Sequence, residues 1–264
     1  MSSYISSIYC YCDHFCERCR FTARCAVFAG SAALADSDPD DPGFWQKLLE
    51  QFAQSHGLET GPDDWEIEVR KPTDEEIAFA EYEAALLEAR LAQDQLICLS
   101  VGWQETVLCL LEDVSFWRAK ARASASEAAM GLRSVQDAMG EAECVTDCLH
   151  RLRRFTETAD MRLREAVINA DGEGPDTTSG DGLAKSALHC LREARSALAG
   201  LFDIFPDEDR ILPLFSPLAA LERATDARFP AATSFVRPGF DEMPVVVTGD
   251  LELPWPSVSA PAAL

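Results

Sequence analysis

Four cysteines near the start of the chain have the residue type and spacing of metal ligands. They follow the pattern C-x3-C-x2-C-x5-C within CDHFCERCRFTARC, and they are Cys12, Cys16, Cys19 and Cys25. If residues 8–20 form a short helix, the first three sulfur atoms lie at i, i+4 and i+7 on one helical face, and the fourth returns from the following turn. The sequence therefore predicts a compact pocket of four thiolates.

The softness and the spacing of these ligands indicate which metal they hold. Thiolates select zinc, copper(I) or iron–sulfur clusters. Structural zinc usually lies between two separated C-x2-4-C pairs, whereas these four cysteines form one continuous run, as in many proteins that bind a [4Fe–4S] cluster. The spacing therefore favours a [4Fe–4S] cluster and leaves zinc as the alternative. Arg18, Arg20 and Arg24 would offset the negative charge of either centre and do not distinguish them.

Part of the motif also has the spacing of two enzyme classes. C-x3-C-x2-C is the spacing of radical-SAM enzymes, but the chain lacks the alternating strands and helices of their barrel, and Cys25 would close the fourth iron. The end of the motif, CERCRFTARC, resembles the cluster motif of iron–sulfur nucleases, although no nuclease domain follows it. Neither enzyme class is favoured.

A longer set of segments resembles one bacterial family. The segments are YCDHFCERCRFTARC, DGLAKSAL at 181–188, ILPLFSPLAALERATDARFP at 211–230 and FVRPGFDE at 235–242. Together they are similar to an uncharacterised bacterial family of helical proteins whose usual opening is YCD-x2-CERC-x-FT-x-RC. On this resemblance the four cysteines of the motif fall on the family's cysteines, and Cys10 falls outside them. The resemblance implies no established activity.

Composition limits the partners and the compartment. The chain of 264 residues has 45 Asp and Glu against 23 Lys and Arg, a net charge of −22, and such a surface repels phosphate backbones and anionic lipid. We therefore expect a protein partner, no nucleic acid and no membrane, with the oligomeric state left open. The first residues lack the pattern of a signal peptide. Ten cysteines without that signal predict a cytoplasmic protein with metal ligands and reduced thiols rather than disulfides.

Apolar residues that recur every three or four positions predict an all-α fold. We expect an antiparallel bundle of four or five main helices in residues 31–240. The cysteine segment, residues 1–30, docks at one end of this bundle, and residues 241–264 form a flexible or surface-hugging tail. Residues 26–41 carry no helical pattern of their own.

Caps and breaks predict the limits of the helices. Thr73 opens a helix through a capping box with Glu76, and Gly102 is the expected break. The other expected helices span 41–57, the stripe from Val107 to Trp117, 124–169 with a kink near Gly140, 183–202, and 207–228, with a loop at 171–182. The five cysteines of the later helices are expected to be small apolar core thiols; they are Cys98, Cys109, Cys144, Cys148 and Cys190.

A helical bundle can also hold two carboxylate-bridged metal ions. Asp147 and His150, at i and i+3, are the nearest match, but Arg151 favours a surface ion pair with Asp147 instead. Glu105 and Asp113 share a stripe that is offset from the apolar face and is expected to be solvated. Whether these residues line an internal site is left open.

The leading hypothesis is a cytoplasmic iron–sulfur protein that acts in electron transfer, redox sensing or fold stabilisation. Four protein ligands leave no open coordination position for Lewis-acid catalysis. The first alternative is a zinc-stapled helical interaction module, and the second is an enzyme with two metal ions in the bundle. Whether the protein is an enzyme stays open at this stage.

Overall fold

The computed structural model describes residues 4–5, 7–34, 43–44, 72–170, 179–206 and 209–241. Within these ranges the chain forms seven helices with defined limits and no strand: α1 (Ala26–Leu34), α2 (Asp74–Leu91), α3 (Gln95–Glu112), α4 (Val114–Ala129), α5 (Val135–Ala170), α6 (Gly180–Ile204) and α7 (Phe215–Arg228). The all-α class predicted from the sequence is confirmed for this part of the chain. Most of the predicted helix over 41–57, most of the loop at 171–182 and the tail beyond residue 241 lie outside the described residues.

Helices α5 and α6 pack against each other along their lengths and form the centre of the fold. A Cβ atom added at Gly180, where α6 begins, would lie 3.0 Å from the Ala166 carbonyl oxygen near the end of α5. At the other end of the pair, a Cβ atom at Gly200 would lie 2.9 Å from the Cys148 Sγ. Since later residues of α6 meet earlier residues of α5, the two helices are antiparallel.

Four helices form most of the hydrophobic core. Helix α3 packs on α5, and α7 packs on both α3 and α6. Each of these four helices supplies large side chains that are almost completely buried, among them Trp103, Leu152, Leu191 and Leu218. The apolar stripes read from the sequence of α5 and α6 face this core, with Leu163 and Leu198 fully buried.

The first helical break lies earlier than predicted. The capping box of Thr73 forms as expected, but α2 ends before Asp94, whose Oδ1 accepts the backbone N–H groups of Leu96 at 2.8 Å and Ile97 at 3.2 Å. This carboxylate caps α3, which then continues through Gly102. The prediction of a break at Gly102 is therefore wrong, because an aspartate cap, not a glycine, separates the two helices.

The helix predicted over 124–169 is two helices. Gly131 has φ +73, which is the left-handed conformation that ends α4. Ser134 Oγ then accepts the backbone N–H of Asp137 at 3.0 Å and caps α5. Gly140 lies inside α5 and causes no break.

Helix α1 was not predicted. Its sequence, AVFAGSAAL, is rich in small residues and has no apolar stripe, so hydrophobic periodicity gives no signal for it. After α7, the chain forms turns over residues 230–234 and 238–241. These turns bring residues 235–241 back to the cysteine segment.

Substitution of Gly182 is expected to destabilise the protein because the residue lies directly against two aromatic rings. A Cβ atom there would meet the Tyr11 ring and would lie 2.7 Å from the Phe235 ring. We expect Gly182→Ala to lower the free energy of unfolding by about 1–3 kcal/mol through overpacking, measured by urea denaturation. Gly140→Ala is the matched control: it meets nothing within 4 Å and should stabilise α5 by about 0.5–1 kcal/mol. Changes of the same sign in both variants would contradict this packing.

Candidate metal centre

The cysteine segment is a series of turns rather than the short helix that the sequence predicted over residues 8–20. It contains single 3-10 turns at Ile8–Tyr11, Cys16–Arg18 and Thr22–Arg24. Between the first two turns His14 has φ +55, a left-handed conformation that interrupts any right-handed helix. Asp13 Oδ1 accepts the backbone N–H of Phe15 at 3.0 Å and stabilises this local turn.

All four cysteines of the motif line one small cavity of about 20 Å³. Electrostatic interactions connect Cys16 with each of the other three thiols, Cys12, Cys19 and Cys25. All ten cysteines belong to the described residues, and all are free thiols. The turns thus bring the four predicted ligands to the same place by a different backbone path from the one expected.

Backbone N–H groups point at three of the four sulfur atoms. The Phe21 N–H donates to the Cys19 Sγ at 3.4 Å, and the Phe28 N–H donates to the Cys25 Sγ at 3.5 Å. The N–H of His14 acts on Cys12 in the same way. Hydrogen bonds to sulfur favour the thiolate over the thiol, and they are also one of the means by which proteins tune cluster potentials.

Burial raises the pKa of the Cys12 thiol, although the His14 N–H and the Arg162 guanidinium oppose this shift. Burial also raises the pKa of Cys16, and the neighbouring Cys19 and Cys25 raise it further. Both shifts favour the protonated thiol when no metal is bound. A metal ion must displace these protons, so we expect its apparent affinity to increase with pH.

The donor set fits a soft metal, but the thiols are not yet arranged around one. No group of three or more His, Cys, Asp or Glu side chains in the described ranges forms a ready metal site. Four thiols on one cavity are nevertheless the ligand chemistry of zinc and of iron–sulfur clusters. Binding would require the cysteine side chains to turn toward a common centre.

Arg162 on α5 anchors the cysteine segment to the helices. It is buried, with 4% of its surface exposed. Its guanidinium donates to the Tyr9 carbonyl at 3.1 Å and to the Cys12 carbonyl at 3.0 Å. It also pairs with Glu165 at 2.7 Å. One side chain therefore satisfies a backbone carbonyl group within the first turn and another directly after it, and fixes the position of Cys12.

The imidazole of His14 also faces Arg162. The His14 Nε2 lies 2.6 Å from the guanidinium Nη2 of Arg162, and only a neutral nitrogen can accept a hydrogen bond from this cation. Burial lowers the pKa of His14, and the charge of Arg162 lowers it further. Since its Nε2 is already an acceptor, His14 lines the cavity without being a free ligand.

Helix α6 holds the first turn from the other side. Ser186 Oγ donates to the Tyr11 carbonyl at 2.7 Å, and the Ser179 backbone N–H donates to the Tyr11 hydroxyl at 3.1 Å. Asp13 lies 3.8 Å from the Nε2 of His189. These contacts place the cysteine segment across α5 and α6.

Residues 235–241 complete the enclosure of the cavity. The ring of Phe240 packs edge-on against the Phe21 ring, with centroids 5.2 Å apart, and Phe240 lines the cavity. Asp241 pairs with Lys185 of α6 and with Arg237, each at 3.0 Å. Residues of the cysteine motif, of 181–188 and of 235–241 therefore meet at the cysteine site.

The Asp241 cluster is expected to weaken in acid. Burial alone would raise the pKa of Asp241, but hydrogen bonds from Arg237 and Lys185 outweigh burial and hold the pKa below its ordinary value of 3.8. Because the pKa is lower in the folded state, the stabilisation is complete above pH 3.8 and is lost as the pH falls toward the folded value. The stability difference between wild type and Asp241→Asn should therefore shrink below pH 3.8 in thermal unfolding. A difference that is independent of pH would contradict this assignment.

A cleft of about 320 Å³ opens beside the cysteine cavity. The two share part of their lining, including Cys19, Phe21 and Phe240. Arg18 and Arg151 also line this cleft. Cys19 therefore lies between the cavity and an opening on the surface.

The residues considered for a bundle metal site lie in different surroundings. Asp147 pairs with Arg18 of the cysteine segment rather than with the residue four positions later, and the His150 ring packs edge-on against an aromatic ring of the motif. Glu105 is exposed. Asp113 caps α4 by accepting a backbone N–H at 2.9 Å. Their positions favour capping and ion pairing.

The prediction of core thiols holds for two of the five later cysteines. Cys148 and Cys190 are buried, whereas Cys98, Cys109 and Cys144 are exposed. The exposed three are on the solvent sides of α3 and α5.

Sequence reasoning missed the residues that position the cysteine segment. Arg162 lies three residues after Ala159 and four before Ala166, on the buried stripe of α5. A charged residue on an apolar stripe was the available signal, because a buried charge requires partners. For Ser186 and Tyr11 the sequence contains no comparable signal.

Comparisons with known proteins do not assign the chain to a family. No protein-family model, curated protein or solved structure matches the chain. Among the described residues, no helix combines the length and the hydropathy that crossing a bilayer requires.

Proposed function

We propose that residues 8–25 bind a [4Fe–4S] cluster through Cys12, Cys16, Cys19 and Cys25, and that the chain is a cytoplasmic iron–sulfur protein. The observation that supports this most is that all four cysteines of the motif line one cavity, although they are spread over three separate turns. The backbone N–H groups directed at three of the sulfur atoms add to it. The role would be electron transfer, redox sensing or stabilisation of the fold.

When bound, such a cluster exchanges single electrons at a potential set by its surroundings. The residues of this chain would control those surroundings. Phe21, Phe28 and Phe240 line the cavity and limit the access of water. Arg162 would hold the Cys12 end of the segment, and its positive charge would partly offset the negative charge of four thiolates.

A single zinc ion in place of the cluster is the alternative, and the size of the cavity favours it. A volume of about 20 Å³ is close to the space that one water molecule requires. A single ion of zinc's size fits this volume, whereas an iron–sulfur cube is larger and would require the cavity to widen. In that case the protein would be a zinc-stapled helical interaction module.

The larger organisation that we propose follows from the same contacts. The helices form an antiparallel bundle, extending the arrangement of α5 and α6, and the cysteine segment docks on it through Arg162 and Ser186. The net charge of −22 supports a protein partner rather than nucleic acid. Ten free thiols support a reducing compartment such as the cytoplasm. Membership of the resembling bacterial family is part of this proposal.

Purification without oxygen, followed by metal and sulfide analysis, tests the function. For a cluster we expect a brown protein with about four iron and about four sulfide per chain. A colourless protein with about one zinc per chain would support the alternative. Purified protein that holds neither metal, and takes up neither on reconstitution under reducing conditions, would contradict both.

A further inference from the structure

Helix α2 presents an apolar face to solvent. Phe79 and Tyr82 each have 62% of their surface exposed, and Leu86 has 53% exposed. Their spacing of i, i+3 and i+7 places them on one side of the helix. Only the last turn of the helix packs on the described part of the protein, where Leu91 is buried and Leu87 contacts the core. Among the described residues, these three anchors therefore contribute little to packing.

A matching groove lies between α4 and α5. It has a volume of about 630 Å³, within the range of binding clefts. Small residues form its floor, and larger apolar residues such as Trp117, Met139 and Leu149 form its sides. Exposed Val135 and Met139, at 64% and 61%, continue the apolar surface at one end.

The charges beside these two surfaces are complementary. Helix α2 has the sequence DEEIAFAEYEAALLEARL, with six acidic residues and one arginine. Helix α4, VSFWRAKARASASEAA, has three basic residues and one glutamate in a chain whose net charge is −22. Opposite charges on two apolar surfaces steer them together and fix their orientation.

The positions of the charges suit this contact. Glu75 and Glu83 each lie four residues from Phe79 and flank the apolar face of α2. On α4, Arg118 and Arg122 precede Ala121 and Ala125 of the groove by three residues and lie at its edge.

The α5 side of the groove exerts little electrostatic repulsion on an acidic helix. Its lining residue Glu141 is paired with Arg133 at 3.0 Å. The repulsion that this carboxylate would exert on the glutamates of α2 is therefore reduced.

We propose that the chain forms a homodimer in which α2 of each copy lies in the α4–α5 groove of the other. Both halves of the contact are present on one chain, and the exposure of the α2 anchors shows that they do not occupy their own groove. Two copies related by a two-fold axis make the contact twice, which closes the assembly. The aromatic anchors enter an apolar groove in the manner of a helix-in-groove interface. This inference goes beyond the metal centre and does not depend on it.

Sedimentation velocity of the full chain, with reductant present, tests the dimer across the micromolar range. We expect wild type to sediment as a dimer that dissociates on dilution. Phe79→Ala with Tyr82→Ala should raise the dissociation constant by about 100-fold, since buried aromatic anchors dominate such interfaces. Met161→Ala is the matched control, because Met161 is an exposed apolar residue, 36% accessible, that is outside both surfaces.

Charge exchange distinguishes this contact from other modes of association. Glu75→Lys with Glu83→Lys, and separately Arg118→Glu with Arg122→Glu, should each produce a monomer, because like charges then meet in both contacts. An equimolar mixture of the two variants should dimerise again, since each α2 then meets a groove of opposite charge. Circular dichroism of each variant checks that the helices remain.

The proposal would be overturned by any of three results. Wild type could be monomeric across the whole range, the aromatic variant could dimerise as strongly as wild type, or the mixed charge variants could remain monomeric.

Discussion

Replacing Cys19 with serine is expected to remove most of the metal from the purified protein. Cys19 is one of the four thiols on the cavity, and its Sγ accepts the Phe21 N–H at 3.4 Å. A serine hydroxyl is a hard, weakly acidic ligand that soft metals disfavour. Loss of one of four ligands should weaken metal binding at least about tenfold, because each 1.4 kcal/mol of lost binding energy weakens binding by about that factor.

Cys10→Ser is the matched control for this experiment. Cys10 is two residues from Cys12 and is half-buried, but it is absent from the cavity lining and from the motif. The variant should keep its metal, measured by elemental analysis after purification without oxygen. Metal retained in Cys19→Ser, or lost in Cys10→Ser, would contradict the ligand assignment. Iron or manganese that persists in Cys16→Ser would instead indicate a site among the helices.

The helices should survive the loss of the metal in Cys19→Ser. The core formed by α3, α5, α6 and α7 contains large buried side chains that are far along the chain from the four cysteines of the motif. Trp103 and Leu191 are examples. Far-ultraviolet circular dichroism should therefore change little, while protection of residues 8–25 from hydrogen exchange should fall. This pattern separates loss of a ligand from general unfolding.

The sequence predicted local features of the fold well. The capping box of Thr73 and Glu76 formed as expected, because its hydrogen bonds connect residues three positions apart. The buried face of α5, including Leu152 and Leu163, followed from apolar periodicity alone. Where two local signals competed, as with Asp94 and Gly102, the aspartate that could cap a helix determined the break.

The sequence could not predict how the cysteine segment is held. The motif identified four thiols that the fold brings to one cavity, but the helical path proposed for them is wrong because His14 takes a left-handed conformation. Contacts from α5 and α6 hold the residues around it. Arg162 reaches a carbonyl group 150 residues away, and no spacing rule connects positions so far apart.

Replacing Arg162 with leucine is expected to release the cysteine segment from the helices. The guanidinium donates to the carbonyls of Tyr9 and Cys12 and to the His14 ring, and leucine would leave these buried acceptors without a donor. Each buried unsatisfied group costs about 1–3 kcal/mol, so we expect the free energy of unfolding to fall by about 3 kcal/mol. The loss cannot exceed the energy that detaches the segment, because the acceptors are then exposed to water.

Two measurements distinguish release of the segment from a weakened core in Arg162→Leu. Limited proteolysis should cleave near residues 8–25 faster than in wild type, while the fragment containing α5 and α6 persists. Metal binding should weaken in parallel, because Cys12 loses the anchor that positions its backbone.

Arg162→Lys should restore only part of both properties, since an ammonium group cannot reproduce the planar set of donors that reaches several acceptors at once. Arg153→Leu is the control on the same helix, where the side chain is exposed, and it should resemble wild type. If Arg162→Leu and Arg153→Leu behave alike, the segment is held by its apolar contacts rather than by this buried guanidinium.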